Sequence, residues 1–124
     1  MLATLTARAA SNILLCDGAM GTMLHERGLC PGDCPELWCL ERPADVTAIH
    51  QAYRHAGSDI VECNSFGGNR YKLQHYGLVD KAFMINKAAA ALAHDVAAGE
   101  QNVLASMGPT GAFLEPYGDE TEAQ

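Results

Sequence analysis

The sequence predicts an α/β fold built on parallel strands. Two observations predict it. Three short apolar runs each close in polar or glycine-rich residues, and the segments between them carry helical patterns. In chain order this gives β-α-β-α-β, whose strands lie parallel when the crossovers are right-handed.

The first expected strand is Ile13-Leu14-Leu15-Cys16, followed by Asp17-Gly18-Ala19-Met20-Gly21-Thr22. Residues 1–12 are expected to form a short lead-in helix. They make a poor export signal, because the apolar stretch is very short, Asp17 follows at once, and bulky residues precede Cys16. The segment from Leu24 to Arg42 is expected as a long loop covering one end of the sheet. A helix is expected from Pro43, which suits a first turn, through Asp45 at the positive end, to a stop at Gly57. Val46, Ile49, Tyr53 and Ala56 share one face of it. The second strand, Asp59 to Cys63, leads into Asn64-Ser65-Phe66-Gly67-Gly68-Asn69. A short helix over 70–76 should stop at Gly77. A longer one opens near Asp80, with Ala82, Ile85, Ala89, Leu92 and Val96 in a stripe at helical spacing. The third strand, Val103 to Met107, leads into Gly108-Pro109-Thr110-Gly111. Leu114 to Gln124 run into an acidic stretch with no closing element, so the domain at 13–124 is expected to be truncated at its C-terminus.

Two architectures compete for this order. A dinucleotide-binding open sheet wants G-x-G-x-x-G after its first strand, and D-G-A-M-G-T stands there instead. A (β/α)8 barrel needs about 250 residues, so three strands would be an open part of one.

Composition narrows the function. At 124 residues, 48% hydrophobic and 19% charged, the chain is an ordinary globular one. Its net charge of -7 argues against nucleic acid or an anionic membrane as partner, and the basic spot around Arg70 and Lys72 is small. No run approaches the roughly 18 apolar residues of a membrane helix. A cytoplasmic protein is expected, with its five cysteines as free thiols.

All three strands deliver polar groups or glycines at their C-terminal ends: Asp17 with Gly18 and Gly21, Glu62 with Asn64, and Ser106 with Thr110. That edge is where parallel α/β folds build sites, although turns favour the same residues for conformational reasons. Glycines in the first loop let backbone N–H groups approach a small carboxylate, and Asp17 could take an ammonium group, so an amino acid is a sensible ligand. Cys30, Cys34 and Cys39, spaced C-x3-C and C-x4-C, lack the C-x2-C pairing of structural zinc. A zinc there with His25 is conceivable, but free loop thiols are the better reading. Cys16 and Cys63 are expected to pack as small hydrophobes in strands. His25, His50, His55, His75 and His94 show no metal or triad spacing and read as surface or interface residues. Trp38 and Tyr53 read as packing residues.

D-G-A-M-G-T-M-L, then P-E-L-W-C-L-E-R-P with the helix to H-A-G-S-D-I-V-E-C-N-S-F-G-G-N-R, and finally A-S-M-G-P-T-G, resembles the homocysteine S-methyltransferase family. The resemblance runs from about Ile13 to Asp119. It implies the N-terminal part, about three βα units, of a (β/α)8 TIM barrel. It implies homocysteine binding by Asp17, Gly18, Ala19, Met20, Gly21, Thr22, Glu62 and Asn64, with methyl transfer to a zinc-activated thiolate to give methionine. Gly108 to Gly111 match the loop after the third strand, while Cys63 and Ser65 stand where many relatives carry threonines. The family's zinc cysteines, including a Gly-Gly-Cys-Cys motif, are not matched in this sequence, so metal ligands are expected beyond residue 124. Methylcobalamin or another methyl donor would be bound by other parts of the parent protein, with cobalamin- and folate-binding modules as possible partners. The rival reading is a non-catalytic amino-acid-binding or interaction module built on a half-barrel. Its exposed sheet edge would be a liability.

Overall fold

The structure is a computed structural model that describes residues 3–121. The far ends of the expected 1–12 and 13–124 segments, Met1 and Leu2 at one end and Glu122, Ala123 and Gln124 at the other, lie outside the described residues.

The expected lead-in helix is α1, Leu5–Ala9, capped by the Thr4 side chain accepting from the Ala7 N–H. Chain order then gives α2 (Gly21–Glu26), a 3-10 turn (Pro35–Leu37), α3 (Trp38–Glu41), α4 (Pro43–His55) and β1 (Ile60–Glu62). After these come α5 (Arg70–Leu73), 3-10 turns at Gln74–Tyr76 and Val79–Lys81, α6 (Ala82–Ala97) and β2 (Asn102–Leu104).

β1 and β2 pair in parallel, with Val61 opposite Val103. Against the other edge of β1, Cys16 makes a single parallel bridge to Ile60. The three expected strands therefore lie side by side in sequence order, but the first is shorter than expected. Leu15 O accepts from the N–H groups of Asp59 (2.8 Å) and Ile60 (3.1 Å), and the Asp17 N–H donates to Ile60 O (3.0 Å). Ile13 is 91% exposed and Leu15 60%, so this apolar run is not buried on both faces and the ladder stops after one bridge. Cys16 is likewise exposed and is no packing residue. The second and third strands shorten at their ends, and Met107, expected in the third, is exposed.

The segment expected as a loop from Leu24 to Arg42 is largely folded. α3 packs against α4 and α6. Trp38, 6% exposed, is buried there with Arg42 stacked over its ring at 4.0 Å. On α4, Val46 and Ile49 are fully buried as expected, but Tyr53 is only partly buried and Ala56 is exposed at the C-cap, while His50, expected at the surface, is the third buried residue. α6 buries Ile85, Ala89, Ala93, Val96 and Ala97, whose small side chains let it lie close to the sheet. One core cluster joins Leu24, Trp38, Val46, Ile49, Val61 and Ala89. A smaller one joins Cys34, Leu73 and Ile85.

At the N-terminal ends of the strands, Arg8 reaches from α1. Its guanidinium donates to Asp59 Oδ1 (2.9 Å) and Asn102 Oδ1 (2.6 Å), while Asp59 Oδ2 accepts from the Leu15 N–H (3.1 Å). One side chain thus ties together all three parallel segments.

Candidate functional site

At the opposite ends of these segments lies a cavity of ≈ 540 Å³. Asp17, Gly18, Ala19, Met20 and Gly21 line it from the first loop, and Glu62 and Asn64 from the end of β1. Cys63, Ser65 and Phe66 continue the β1 loop side, and Pro35, Glu36 and Ser106 complete the lining. Thr22, in the first turn of α2, is exposed and does not line it. Thr110 also stands outside the lining. The other seven residues of the first loop and β1 end that the sequence singled out come together here, and the lining contains no lysine or arginine.

Asp17 is the hinge of the arrangement. Both its carboxylate oxygens lie within 3.0 and 3.1 Å of the Glu62 N–H, so the first loop is held to the end of β1. Its side chain is only 3% exposed. Burial raises its pKa above the ordinary carboxylate value, opposed by the Glu62 N–H. Tyr53 on α4 supports the next residues: its hydroxyl donates to Ala19 O at 2.8 Å. Gly18 packs closely there: a Cβ would stand 2.9 Å from the Tyr53 oxygen, so the ring would have to shift to admit one. Among the described residues no backbone carbonyl accepts from the N–H groups of Gly18, Ala19 and Met20.

The second loop is stitched to its neighbours. Asn64 donates through Nδ2 to Pro35 O (2.9 Å), and the Cys39 thiol donates to Asn64 O (3.6 Å). The Ser65 hydroxyl donates to Ser106 O (2.8 Å) and accepts from the Ser106 N–H (3.1 Å). Glu36, 6% exposed, accepts from the Gly67 N–H at 2.7 Å and from the Cys34 thiol at 3.4 Å. Sequence reading did not single out Glu36. Its only local signal is the Pro35-Glu36-Leu37 turn, which says nothing about burial.

Cys16, Cys34, Cys39 and Cys63 are not set up as nucleophiles. Burial pushes Cys34 up to about 11 and Cys39 to about 12, and it raises Cys63 and Cys16 as well. Cys34 and Cys39 are buried, not loop-exposed, and all five cysteines are free. His25 spends its Nδ1 on Leu29 O at 2.7 Å. Among the described residues, no group of three His, Cys, Asp or Glu side chains comes together as a metal site. No helix among them is long and apolar enough to cross a membrane.

Residues 14–124 match the sequence model of the family described as homocysteine S-methyltransferase. The chain belongs to the homocysteine S-methyltransferase family. Within it, the chain is 35% identical over 112 residues to a methionine synthase of Mycobacterium leprae (strain TN), covering 81% of this chain and 9% of that protein. A methionine synthase of Mycobacterium tuberculosis (strain ATCC 25618 / H37Rv) is 34% identical over 112 residues, with the same coverage. The chain thus spans about 9% of the length of these curated relatives. The crystal structure of the homocysteine methyltransferase MmuM from Escherichia coli, in its metallated form, superposes with a TM-score of 0.72 at 26% identity. The match covers 86% of this chain and 42% of that one. Its oxidized form gives 0.71 at 26% identity, covering 86% and 41%. These structures are of the TIM-barrel kind, and this chain aligns with part of one.

Proposed function

We propose that this chain supplies the homocysteine-gripping wall of a homocysteine S-methyltransferase of the methionine-synthase type, folded as the first three βα units of a (β/α)8 barrel. The observation that carries this reading is one cavity whose first loop keeps N–H groups with no backbone acceptor and whose lining holds the carboxylates of Asp17, Glu36 and Glu62 and no lysine or arginine. An α-amino acid presents a carboxylate and an ammonium at fixed separation. The N–H groups of Gly18, Ala19 and Met20 take the carboxylate, as backbone amides do in anion-binding concavities. The exposed Glu62 and the adjacent Asp17 take the ammonium. Asp17 retains acceptor capacity for this, because an ionised carboxylate offers about four lone-pair sites and the Glu62 N–H uses only part of them. Asn64, held by Pro35, fixes the second loop at the cavity wall.

Transfer of a methyl group to sulfur needs a thiolate, and a thiol of pKa near ~8.5 is mostly protonated at neutral pH. The zinc implied by the family resemblance would supply that activation when bound. The described residues of this chain do not fit it, and the role derived for them is binding and orientation only. The methyl donor is proposed as methylcobalamin or another donor carried by further modules of a parent protein, in keeping with the likeness to methionine synthases. Calorimetric or NMR titration of the chain with homocysteine tests the reading. Saturable binding is expected, weakened about tenfold or more by Glu62→Gln, as befits loss of one charge-assisted bond. Equal affinity in the two proteins would refute it.

A further inference from the structure

The site rests on a histidine whose chemistry is otherwise unused. His50 is fully buried on α4, and both ring nitrogens lack a hydrogen-bond partner among the described residues. A buried polar group left unpaired is costly, so such a pair of orphaned atoms calls for an explanation. The environment supplies one. Nδ1 of His50 faces Asp17 Oδ2 at 3.9 Å, and the two side chains are 0% and 3% exposed. One turn further along the same face of α4, Tyr53 holds Ala19 O at 2.8 Å. The helix therefore presents two polar groups to the underside of the first loop. One is bonded already, and the other, at 3.9 Å, stands just outside bonding range.

We propose that His50 is a positioning residue for the ligand-binding loop: a neutral imidazole carrying its proton on Nδ1, aimed at Asp17 Oδ2, which closes into a hydrogen bond when an amino acid's ammonium draws on the other side of that carboxylate. Neutrality follows from burial, which holds His50 down at about 4. A neutral ring with a bare Nδ1 would set two lone pairs against each other at this distance, whereas an Nδ1–H gives the carboxylate a fixed dipole. The inference deepens the amino-acid-binding reading of the site and rests on it for the ligand.

Two measurements on the full chain test it. Long-range 1H–15N correlation spectra report which ring nitrogen carries the proton. The expected result is an Nδ1–H tautomer for His50, sharpened by added homocysteine and lost in Asp17→Ala. A proton on Nε2 with and without homocysteine overturns the proposal. In parallel, homocysteine titration should weaken about tenfold in His50→Leu and recover most of that loss in His50→Asn, whose amide can donate from the same place. Equal weakening by both substitutions would assign His50 a packing role only. If the unaltered chain binds no homocysteine, the functional reading fails, and the tautomer alone still decides the place of His50.

Discussion

Gly18→Ala isolates the close approach on which the first loop depends. The added Cβ would stand 2.9 Å from the Tyr53 oxygen, 3.0 Å from Cε1 and 3.2 Å from Cζ. Gly18 does not occupy the left-handed region, so the backbone accepts alanine and the cost is purely steric. The ring can relieve the overlap only by turning away, which also loses its bond to Ala19 O at 2.8 Å. Overpacking of this kind costs about 1–3 kcal/mol, and the partly exposed hydrogen bond adds roughly 0.5–1. The expected loss is therefore about 2–3 kcal/mol, measured by urea denaturation with an unchanged slope. Tyr53→Phe alone should cost about 1 kcal/mol and remove the nearest of the three clashing atoms. The double variant should then fall short of the sum by about 1 kcal/mol, the coupling expected of residues in contact. A Gly18→Ala loss below about 0.5 kcal/mol, or strict additivity with Tyr53→Phe, would refute the packing argument.

The other expectations concern the rest of the scaffold. Ser65→Ala removes both bonds to Ser106 and should cost about 1–2 kcal/mol in the same assay, weakening homocysteine binding as the β1 loop loosens. Arg8→Ala should destabilise by about 1–2 kcal/mol, a figure reduced for its partial exposure, with homocysteine affinity unchanged. His50 has a folded pKa of about 4 against an ordinary value of 6.5, so the folded state binds fewer protons between them. Stability should fall as pH drops from 6.5 toward 4, by about 3 kcal/mol in all, and a pH series on His50→Asn should lose that slope. Asp17, with its raised pKa, acts in the opposite sense: the folded state holds its proton more tightly, so stability decreases as pH rises through its titration. A thiol reagent at neutral pH should label Cys16 and Cys30 before Cys34, Cys39 and Cys63; early reaction of Cys39 would contradict its burial.

Where a signal is local, the sequence carried it. Pro43, Asp45 and Gly57 delimit α4 because each acts within one turn of the helix end, and Gly57 takes the positive φ of 98° that a stop requires. The polar ends of the strands converged on one cavity because parallel order alone places them on the same edge. Other features depended on contacts that no window contains. Ile13 to Cys16 has the composition of a buried strand, yet its length is set by its neighbours, and pairing on one edge yields a single bridge. The four residues of α3 are too few for a helical period to register, so that stretch read as a loop. His50 was legible in part: it sits four residues after Val46 and one after Ile49, on the apolar face. Histidine identity suggested a surface place, and only the carboxylate brought in from the first loop gives its burial a purpose. Glu36 had no such pattern, since the backbone N–H it accepts from belongs to Gly67, more than thirty positions away.

The Arg8 clamp has a consequence for how this scaffold can vary. It fastens the strands at one pole, while the residues that face the cavity crowd the other. A three-residue strand separates those poles by roughly 10 Å, close to a Debye length at ordinary salt. Charge changes made around α1 are therefore muted before they reach the loops. Substitutions there can raise or lower the melting temperature while leaving ligand preference alone, so robustness and selectivity in this chain are free to drift independently.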